Sequence, residues 1–363
     1  MTRQHIIAIV AAGTGGHVMP GLALAEELRN RAWSAQWVGT RIGMERSLVE
    51  ASEIPFHALD FSNMRGKGLL AKMTGAWRLL KATRQCVTIF RQSGANAVLA
   101  TGGYVAVPAG LAAAWLGIPF YFLNADAAPQ LSLRLLRPFV RTCLCGFDGE
   151  AARLLGARAL VCGAPVRQAM LALPQPEVRM AGRQGPLRIF VAGGSLGAGV
   201  LNRVVPFALA NLPSDQRPVV FHQCGARHLE ETRQTYVRLG VDAQVEPFVT
   251  DMATRYADAD LVICRAGAIT VSELCAVGVA SILVPLIAAT TAHQSGNAAF
   301  MENHGAGIHL PENELNPHAL TATLQTLTRN GLQQMAVSAR RLARANAAGQ
   351  IADHIEHTAN LAP

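Results

Sequence analysis

Short runs of consecutive apolar residues, each ended by glycine and followed by a helical spacing of apolar positions, recur along the chain. Residues 6–12 form the first run, residues 13–17 a glycine turn, and residues 20–31 a helix with Pro20 near its first turn, where a missing N–H is harmless. The same order returns at 187–192 (strand), 193–198 (turn) and 199–211 (helix), and again at 260–264, 265–268 and a helix opening at 269–273. Strand, glycine turn and helix repeated in this way predict two open α/β domains in tandem. Residues 104–123 carry no charge and are long enough to cross a bilayer. However, Pro108, Gly110, Gly117 and Pro119 divide the stretch into a loop, a helix near 109–116 and a strand near 119–123, the pattern of a buried β-α-β unit.

The Pro/Gly-rich stretch at 163–166, with Pro174, Pro176 and Pro186 beyond it, marks a linker. The boundary falls at 163/164, with domains over 1–163 and 164–339 and an Arg-rich helical tail after Gln333. A length of 363 residues gives each domain a core of ordinary size.

Charge separates the two halves. Residues 1–163 hold 14 Arg, 3 Lys and 9 acids, net +8, while residues 164–363 hold 15 Arg and 15 acids, net zero. Within the first half, residues 61–125 contain no carboxylate but carry Arg65, Lys67, Lys72, Arg78, Lys81, Arg84 and Arg91. Met64, Leu69, Leu70, Met73, Trp77, Leu80 and Ile89 are interleaved with them, so the stretch reads as a basic amphipathic surface for something anionic. Trp77 and Phe90 are its aromatic base-stacking candidates and no nucleic-acid module is recognisable, which favours a membrane surface over nucleic acid. A solvated helix face with Leu and Trp turned into the core is the plainer alternative.

Seven cysteines, an odd number with no C-x-x-C, predict reduced, mostly buried thiols in a cytosolic protein rather than a disulfide framework. The apolar run after Met1 is too short and too soon broken by glycine for a signal peptide.

Glycine turns at helix N-termini favour phosphate, because backbone N–H groups and the positive end of the helix converge there. Neither of the first two turns is G-x-G-x-x-G, and neither following strand ends in the acid that would hold an NAD ribose. A Walker-type G-x-x-x-x-G-K-[ST] is missing as well, so NAD and the usual ATPase chemistry are both disfavoured. The third turn has a carboxylate beside it. Glu273 suits ribose hydroxyls, but Thr270-x-x-Glu273 is also a capping box, and spacing alone weights the two readings equally. Gln294 and Asn297, three apart on one helical face, are placed to read sugar hydroxyls.

Gly13-Thr14-Gly15-Gly16-His17-Val18-x-Pro20, Thr101-Gly102-Gly103-Tyr104-Val105, Gly193-Gly194-Ser195-x-Gly197-Ala198, Arg265-x-Gly267-Ala268-x-Thr270-x-Ser272-Glu273 and Gln294-x-x-Asn297 together resemble, in order and spacing, the MurG family of glycosyltransferase family 28. The resemblance covers nearly the whole chain and extends to 64–68 and 165–167. It implies the GT-B fold, two Rossmann-like domains facing across a cleft, with a C-terminal helix of about 340–363 packing back on the first. It also implies inverting transfer of N-acetylglucosamine from UDP-GlcNAc to the muramyl 4-hydroxyl of lipid I, an undecaprenyl-pyrophosphoryl-MurNAc-pentapeptide. The product is lipid II, in peptidoglycan biosynthesis, with neither metal nor cofactor.

By the same resemblance Val249 meets uracil through its backbone, Glu273 the ribose, Ser195 and the turn Ala268, Ile269, Thr270, Val271 and Ser272 the diphosphate, and Gln294 the sugar. Arg167, Thr14, Gly15, Gly16 and Asp126 complete the substrate set. His17 is the candidate base, with a helix-capping or substrate-binding role as its alternative. Thr101, Gly102, Gly103, Tyr104 and the first glycine turn face the acceptor pyrophosphate. Arg65, Lys67, Lys72, Trp77, Arg78 and Lys81 rest on the anionic cytoplasmic face of the inner membrane, and nucleic acid is no partner.

The chain departs from the family pattern at Leu123-Asn124-Ala125-Asp126, where His-Glu-Gln-Asn is usual, and at Leu196, Ala164 and Ala266. A carboxylate at Asp126 repels a diphosphate unless it is protonated or paired. These departures keep two alternatives open, a GT-B enzyme for another lipid acceptor and a non-catalytic UDP-sugar-binding paralogue.

Overall fold

The computed structural model describes residues 5–13, 15–41, 45–61, 69–194, 197–286 and 293–359, without the side chains of 69–73. The chain forms two compact units, Met1–Arg167 with Asn346–Pro363, and Gln168–Ala345.

Seven parallel strands build the sheet of the first unit: β1 (Ile6–Val10), β2 (Ser34–Thr40), β3 (Phe56–Leu59), β4 (Ala97–Ala100), β5 (Phe120–Asn124), β6 (Thr142–Cys145) and β7 (Ala159–Val161). Their order is β3-β2-β1-β4-β5-β6-β7, so the direction of winding reverses between β1 and β4, where open α/β sheets place ligands. Both faces of the central strands are covered, which is why these strands read as unbroken apolar runs. On one face Ala8, Val10, Val98 and Phe122 pack under the helices Leu69–Ser93 and Ala106–Leu116. On the other Ile7, Ile9, Leu99 and Tyr121 meet Val18, Leu24 and Leu28 of the helix Gly15–Asn30, and Ile351, Ala352 and Ile355 of the last helix, Ala347–Ala359.

The last helix is tied to the first unit by polar contacts as well. Arg31 donates to Asp353 and Glu356, Tyr121 Oη lies 2.6 Å from Thr358 Oγ1, and His354 Nε2 lies 2.8 Å from Thr142 Oγ1.

Six parallel strands form the second sheet, β8 (Arg188–Ala192), β9 (Val219–Gln223), β10 (Ala243–Glu246), β11 (Leu261–Cys264), β12 (Ala280–Leu283) and β13 (Ile308–His309), in the order β10-β9-β8-β11-β12-β13. Asp260, fully buried just before β11, ties the base of this unit together. It accepts from Arg188 N–H at 2.9 Å and pairs with Arg183 at 2.8 Å and Arg329 at 3.3 Å.

Three boundaries differ from the sequence reading. The first helix starts at Gly15, so Pro20 sits inside it rather than in its first turn. The carbonyl four residues earlier, which Pro20 cannot pair, belongs to the exposed Gly16, where water can replace the lost bond. The Arg-rich tail is two helices, Arg329–Arg341 in the second unit and Ala347–Ala359 in the first. Residues 104–123 are divided into the helix Ala106–Leu116, closed by Gly117 at φ +68°, and β5. No helix among the described residues is long and apolar enough to cross a membrane.

None of the seven cysteines forms a disulfide, and all are buried. Burial pushes the thiols of Cys86, Cys264 and Cys275 up to about 12, which keeps them protonated and unreactive.

Candidate active site

In the first unit β1 runs into Gly13, whose φ of +105° is open to glycine and strained for other residues. Its N–H donates to Glu45 Oε2 at 3.3 Å, while Glu45 Oε1 accepts from both the backbone N–H and the hydroxyl of Thr40 at the end of β2. Glu45 is fully buried, so a carboxylate stands directly beside the first glycine turn.

His17 follows in the first turn of the helix Gly15–Asn30 and is half-buried. Its Nδ1 lies 3.0 Å from the carbonyl oxygen of Thr101, and Thr101 Oγ1 donates back to the His17 carbonyl at 2.7 Å. A carbonyl only accepts, so Nδ1 carries the proton and the lone pair of the neutral ring belongs to Nε2, the tautomer a base requires.

Glycines make this approach of loop and ring feasible. Gly102 and Gly103 have φ of +120° and +78°. A Cβ on Gly102 would overlap Gln130 Oε1 and come within 2.8 Å of the His17 ring. The structure thus brings His17, Thr101, Gly102 and Gly103 together at the ends of β1 and β4. Tyr104 turns instead toward the core, where its ring meets Phe61 at 5.9 Å.

The departing segment 123–126 is occupied in holding its own fold. Leu123 is a fully buried member of the core beneath the first helix. Asn124, also fully buried, donates to the carbonyls of Asp126 at 2.6 Å and Ala128 at 3.1 Å and accepts from Gln130 N–H at 2.9 Å. Asp126 is 8% exposed. Arg167 is half-buried at the end of the unit.

In the second unit β8 runs into Gly193, whose N–H donates to the carbonyl of Gln223 at the end of β9, at 3.0 Å. Gly197 N–H closes on Gly194 O at 3.1 Å, and a Cβ on Gly197 would overlap the Cys224 carbonyl. The helix Gly199–Ala210 follows.

The helix after β11 runs Ala268–Val277 with Gly267 as its N-cap and no side-chain cap. Thr270 is therefore its third residue, and the capping box predicted for Thr270 and Glu273 does not form. Glu273 lies one turn further in, 7% exposed, and accepts from Tyr256 Oη at 3.4 Å. Ala268 and Val271 are buried, while Ile269, Thr270 and Ser272 are half-buried.

Asn297 is fully buried and donates to the Ala266 carbonyl at 3.0 Å, so it holds the turn before this helix instead of reading sugar hydroxyls as its spacing suggested. Gln294 Oε1 accepts from Leu286 N–H at 2.9 Å. Val249 is 8% exposed in the segment between β10 and the helix Met252–Asp258. Among the described residues no three His, Cys, Asp or Glu side chains converge as metal ligands.

Thr14, Arg65, Lys67 and Ser195 lie outside the described residues, as does the side chain of Lys72. On the helix Leu69–Ser93, Trp77 is 64% and Leu80 48% exposed, so neither turns into the core. They line an open groove of about 450 Å³ with Lys81 and Arg84, and Arg78 is exposed beside Trp77.

Sequence reasoning missed Glu45, which opens the short helix Glu45–Glu50 after the second strand of the first unit, and Gln223, which ends the second strand of the second unit. It missed also the buried set in which His222 Nδ1 lies 2.9 Å from Tyr236 Oη and Nε2 3.0 Å from Asn202 Oδ1. No local motif marks these residues, because their partners lie 14 or more positions away or, for Glu45, across a turn.

Two parallel sheets, each with a glycine turn and a helix N-terminus at the carboxyl ends of its strands, are the arrangement of open α/β proteins that bind ligands at that edge, and family models identify the class as glycosyltransferase. The model described as glycosyltransferase family 28 N-terminal domain matches residues 7–144, and that described as glycosyltransferase family 28 C-terminal domain matches residues 188–355. The chain belongs to glycosyltransferase family 28.

Among its relatives is the UDP-N-acetylglucosamine--N-acetylmuramyl-(pentapeptide) pyrophosphoryl-undecaprenol N-acetylglucosamine transferase of Methylibium petroleiphilum, 51% identical over 361 residues, or 98% of each chain. The protein of the same name from Chromobacterium violaceum is 50% identical over 96% of each chain. The crystal structure of Acinetobacter baumannii MurG is similar with a TM-score of 0.81 and 35% identity, over 97% of this chain and 99% of that one.

Proposed function

We propose that this chain transfers N-acetylglucosamine from UDP-GlcNAc to the muramyl 4-hydroxyl of lipid I and so forms lipid II. The observation that carries this reading is the full-length identity of 51% to a transferase of that name. The local geometry supports it, with a buried carboxylate near a helix N-terminus in the second unit and a correctly tautomerised histidine in the first.

In this reading the second unit holds the donor. Glu273 accepts from the ribose, Val249 meets the uracil through its backbone, and Gln294 contacts the sugar. Ser195 and the N–H groups from Ala268 to Ser272 hold the diphosphate and stabilise the charge on departing UDP, as a helix N-terminus does. Arg167 adds a cation, and no metal or cofactor is needed.

In the first unit Thr101, Gly102 and Gly103 with Thr14, Gly15, Gly16 and Asp126 bind substrate, while Tyr104 backs their loop from the core side. His17 Nε2 takes the proton of the 4-hydroxyl as that oxygen attacks the anomeric carbon. The exposed face of Trp77, Arg78, Leu80 and Lys81 rests on the anionic cytoplasmic surface of the inner membrane, to which the sequence also assigns Arg65, Lys67 and Lys72.

The test is transfer of labelled N-acetylglucosamine from its UDP donor to a short-chain lipid I analogue, with and without EDTA, beside a UDP titration. Turnover indifferent to EDTA is expected. UDP binding without transfer would sink the acceptor assignment, and the segment 123–126 would then be the first place to look.

A further inference from the structure

Gln223 ends β9 directly beneath the second glycine turn. Its carbonyl receives the Gly193 N–H, and a Cβ on Gly193 would come within 2.5 Å of that oxygen. The residue is 3% exposed, and its side-chain Oε1 is enclosed with no hydrogen-bond partner among the described residues. Buried side-chain acceptors are seldom left in this state, and one beneath a ligand turn at the carboxyl edge of a parallel sheet points to a partner that arrives with the ligand.

Strand alternation tells which face the side chain is on. Val220 belongs to the core cluster that includes Tyr236, and His222 is bonded to Tyr236. Gln223 therefore shares the opposite face with Phe221. Phe221 packs on Phe190, Phe190 on Tyr256, and Tyr256 donates to Glu273. Gln223 and Glu273 thus belong to the same side of the sheet.

The chemistry narrows the partner further. Oε1 only accepts, and so do the oxygens of an ionised diphosphate, so the partner cannot be the phosphates. Uridine offers donors at the imide N–H and the ribose hydroxyls. We propose that the Gln223 carboxamide hydrogen-bonds the nucleoside half of the donor and is a specificity-determining residue of the second unit. The proposal rests on the donor reading given above.

Titrations of UDP, UDP-GlcNAc and inorganic pyrophosphate into the full-length wild type and Gln223→Met test it. Methionine keeps the length and removes both polar atoms. UDP and UDP-GlcNAc should weaken together by about tenfold, the loss expected for one hydrogen bond, with pyrophosphate and the thermal midpoint unchanged. Affinity for UDP within twofold of wild type overturns the assignment, as does a loss confined to UDP-GlcNAc, which would place the contact on the sugar.

Should Gln223→Met not fold, Gln223→Asn, which withdraws the carboxamide by one methylene, carries the same expectation. 2′-Deoxy-UDP and N3-methyl-UDP then identify the donor group, since the modified position weakens the wild type but not the variant. A wild type that binds no UDP at all would fail the donor reading itself, a result distinct from an unchanged Gln223 variant.

Discussion

In the first unit the N–H of Gly13 ends on the carboxylate of Glu45, whereas in the second the N–H of Gly193 ends on the neutral carbonyl of Gln223. The two turns follow equivalent strands and precede equivalent helices, yet their surroundings differ in charge. Glu45 brings an anion to the positive end of the first helix and so offsets the potential that would attract a phosphate. The second turn keeps that potential, since the N–H groups of Gly193 and Gly197 end on the neutral carbonyls of Gln223 and Gly194. A glycine turn before a helix is therefore insufficient evidence of a phosphate site, and what sits on the first N–H decides how much positive field remains. This difference fits the division of labour proposed above, with the diphosphate on the second unit and a histidine held for proton transfer on the first.

The largest effect should come from His17. His17→Ala is expected to lower kcat by about 10²–10⁴-fold while leaving UDP affinity unchanged, because it removes a base and touches only the first unit. Single-turnover rates beside a UDP titration separate the two. An equal loss of UDP affinity would break the division between the turns.

Next in size, Glu45→Ala strands the N–H and the hydroxyl of buried Thr40, at about 1–3 kcal/mol each, while the N–H of exposed Gly13 can turn to water, so the first unit should lose about 3 kcal/mol. All four tryptophans, Trp33, Trp37, Trp77 and Trp115, belong to that unit. Denaturation followed by tryptophan fluorescence therefore reads the first unit alone, and hydrogen exchange in β8 and β9 should be unchanged.

The second unit should show a pH dependence from His222. Burial lowers its pKa from the ordinary 6.5 to about 3, so the folded unit refuses a proton that the unfolded chain accepts. Stability is complete above pH 6.5 and falls as the pH drops toward 3, by about 1.4 kcal/mol per unit, or about 2 kcal/mol between pH 6.5 and 5. Hydrogen exchange of β9 at the two pH values checks this, and a His222→Gln variant should lose most of the slope.

The smallest effect expected is on Glu273→Ala, which should weaken UDP by about tenfold and cost about 1 kcal/mol of stability, since the long hydrogen bond from Tyr256 is lost but no capping bond is. A fall in stability with unchanged UDP affinity would instead return Glu273 to a structural role.

The doubly wound frame was legible because strands covered on both faces have no polar alternation to hide, as in residues 6–10 and 188–192. Residues 104–123 were resolved as loop, helix and strand for the same kind of reason, since proline and glycine punctuation is local. The failures were also physical. The spacing of Thr270 and Glu273 matched a capping box, but the helix had already begun at Ala268, and only backbone geometry locates a cap. Asn297 was given to the sugar because its face is shared with Gln294, and the sequence carries no sign that the Ala266 carbonyl lies within its reach. The basic helix was recognised from its charge, while the exposure of Trp77 required knowledge of which face the sheet covers. Glu45, Gln223, His222 and Asp260 owe their roles to partners that the fold supplies.

The final helix has a bearing on biosynthesis. Ile351, Ala352 and Ile355 complete the core around β1 and the first helix, more than three hundred residues after that core begins. A ribosome releasing the chain from its N-terminus presents β1 to β7 first, but cannot present the piece that seals Ile7, Leu24 and Tyr121 until the second unit has been made. The unit synthesised first is thus finished last. During that interval the apolar side chains that the last helix covers are without that cover on the nascent chain.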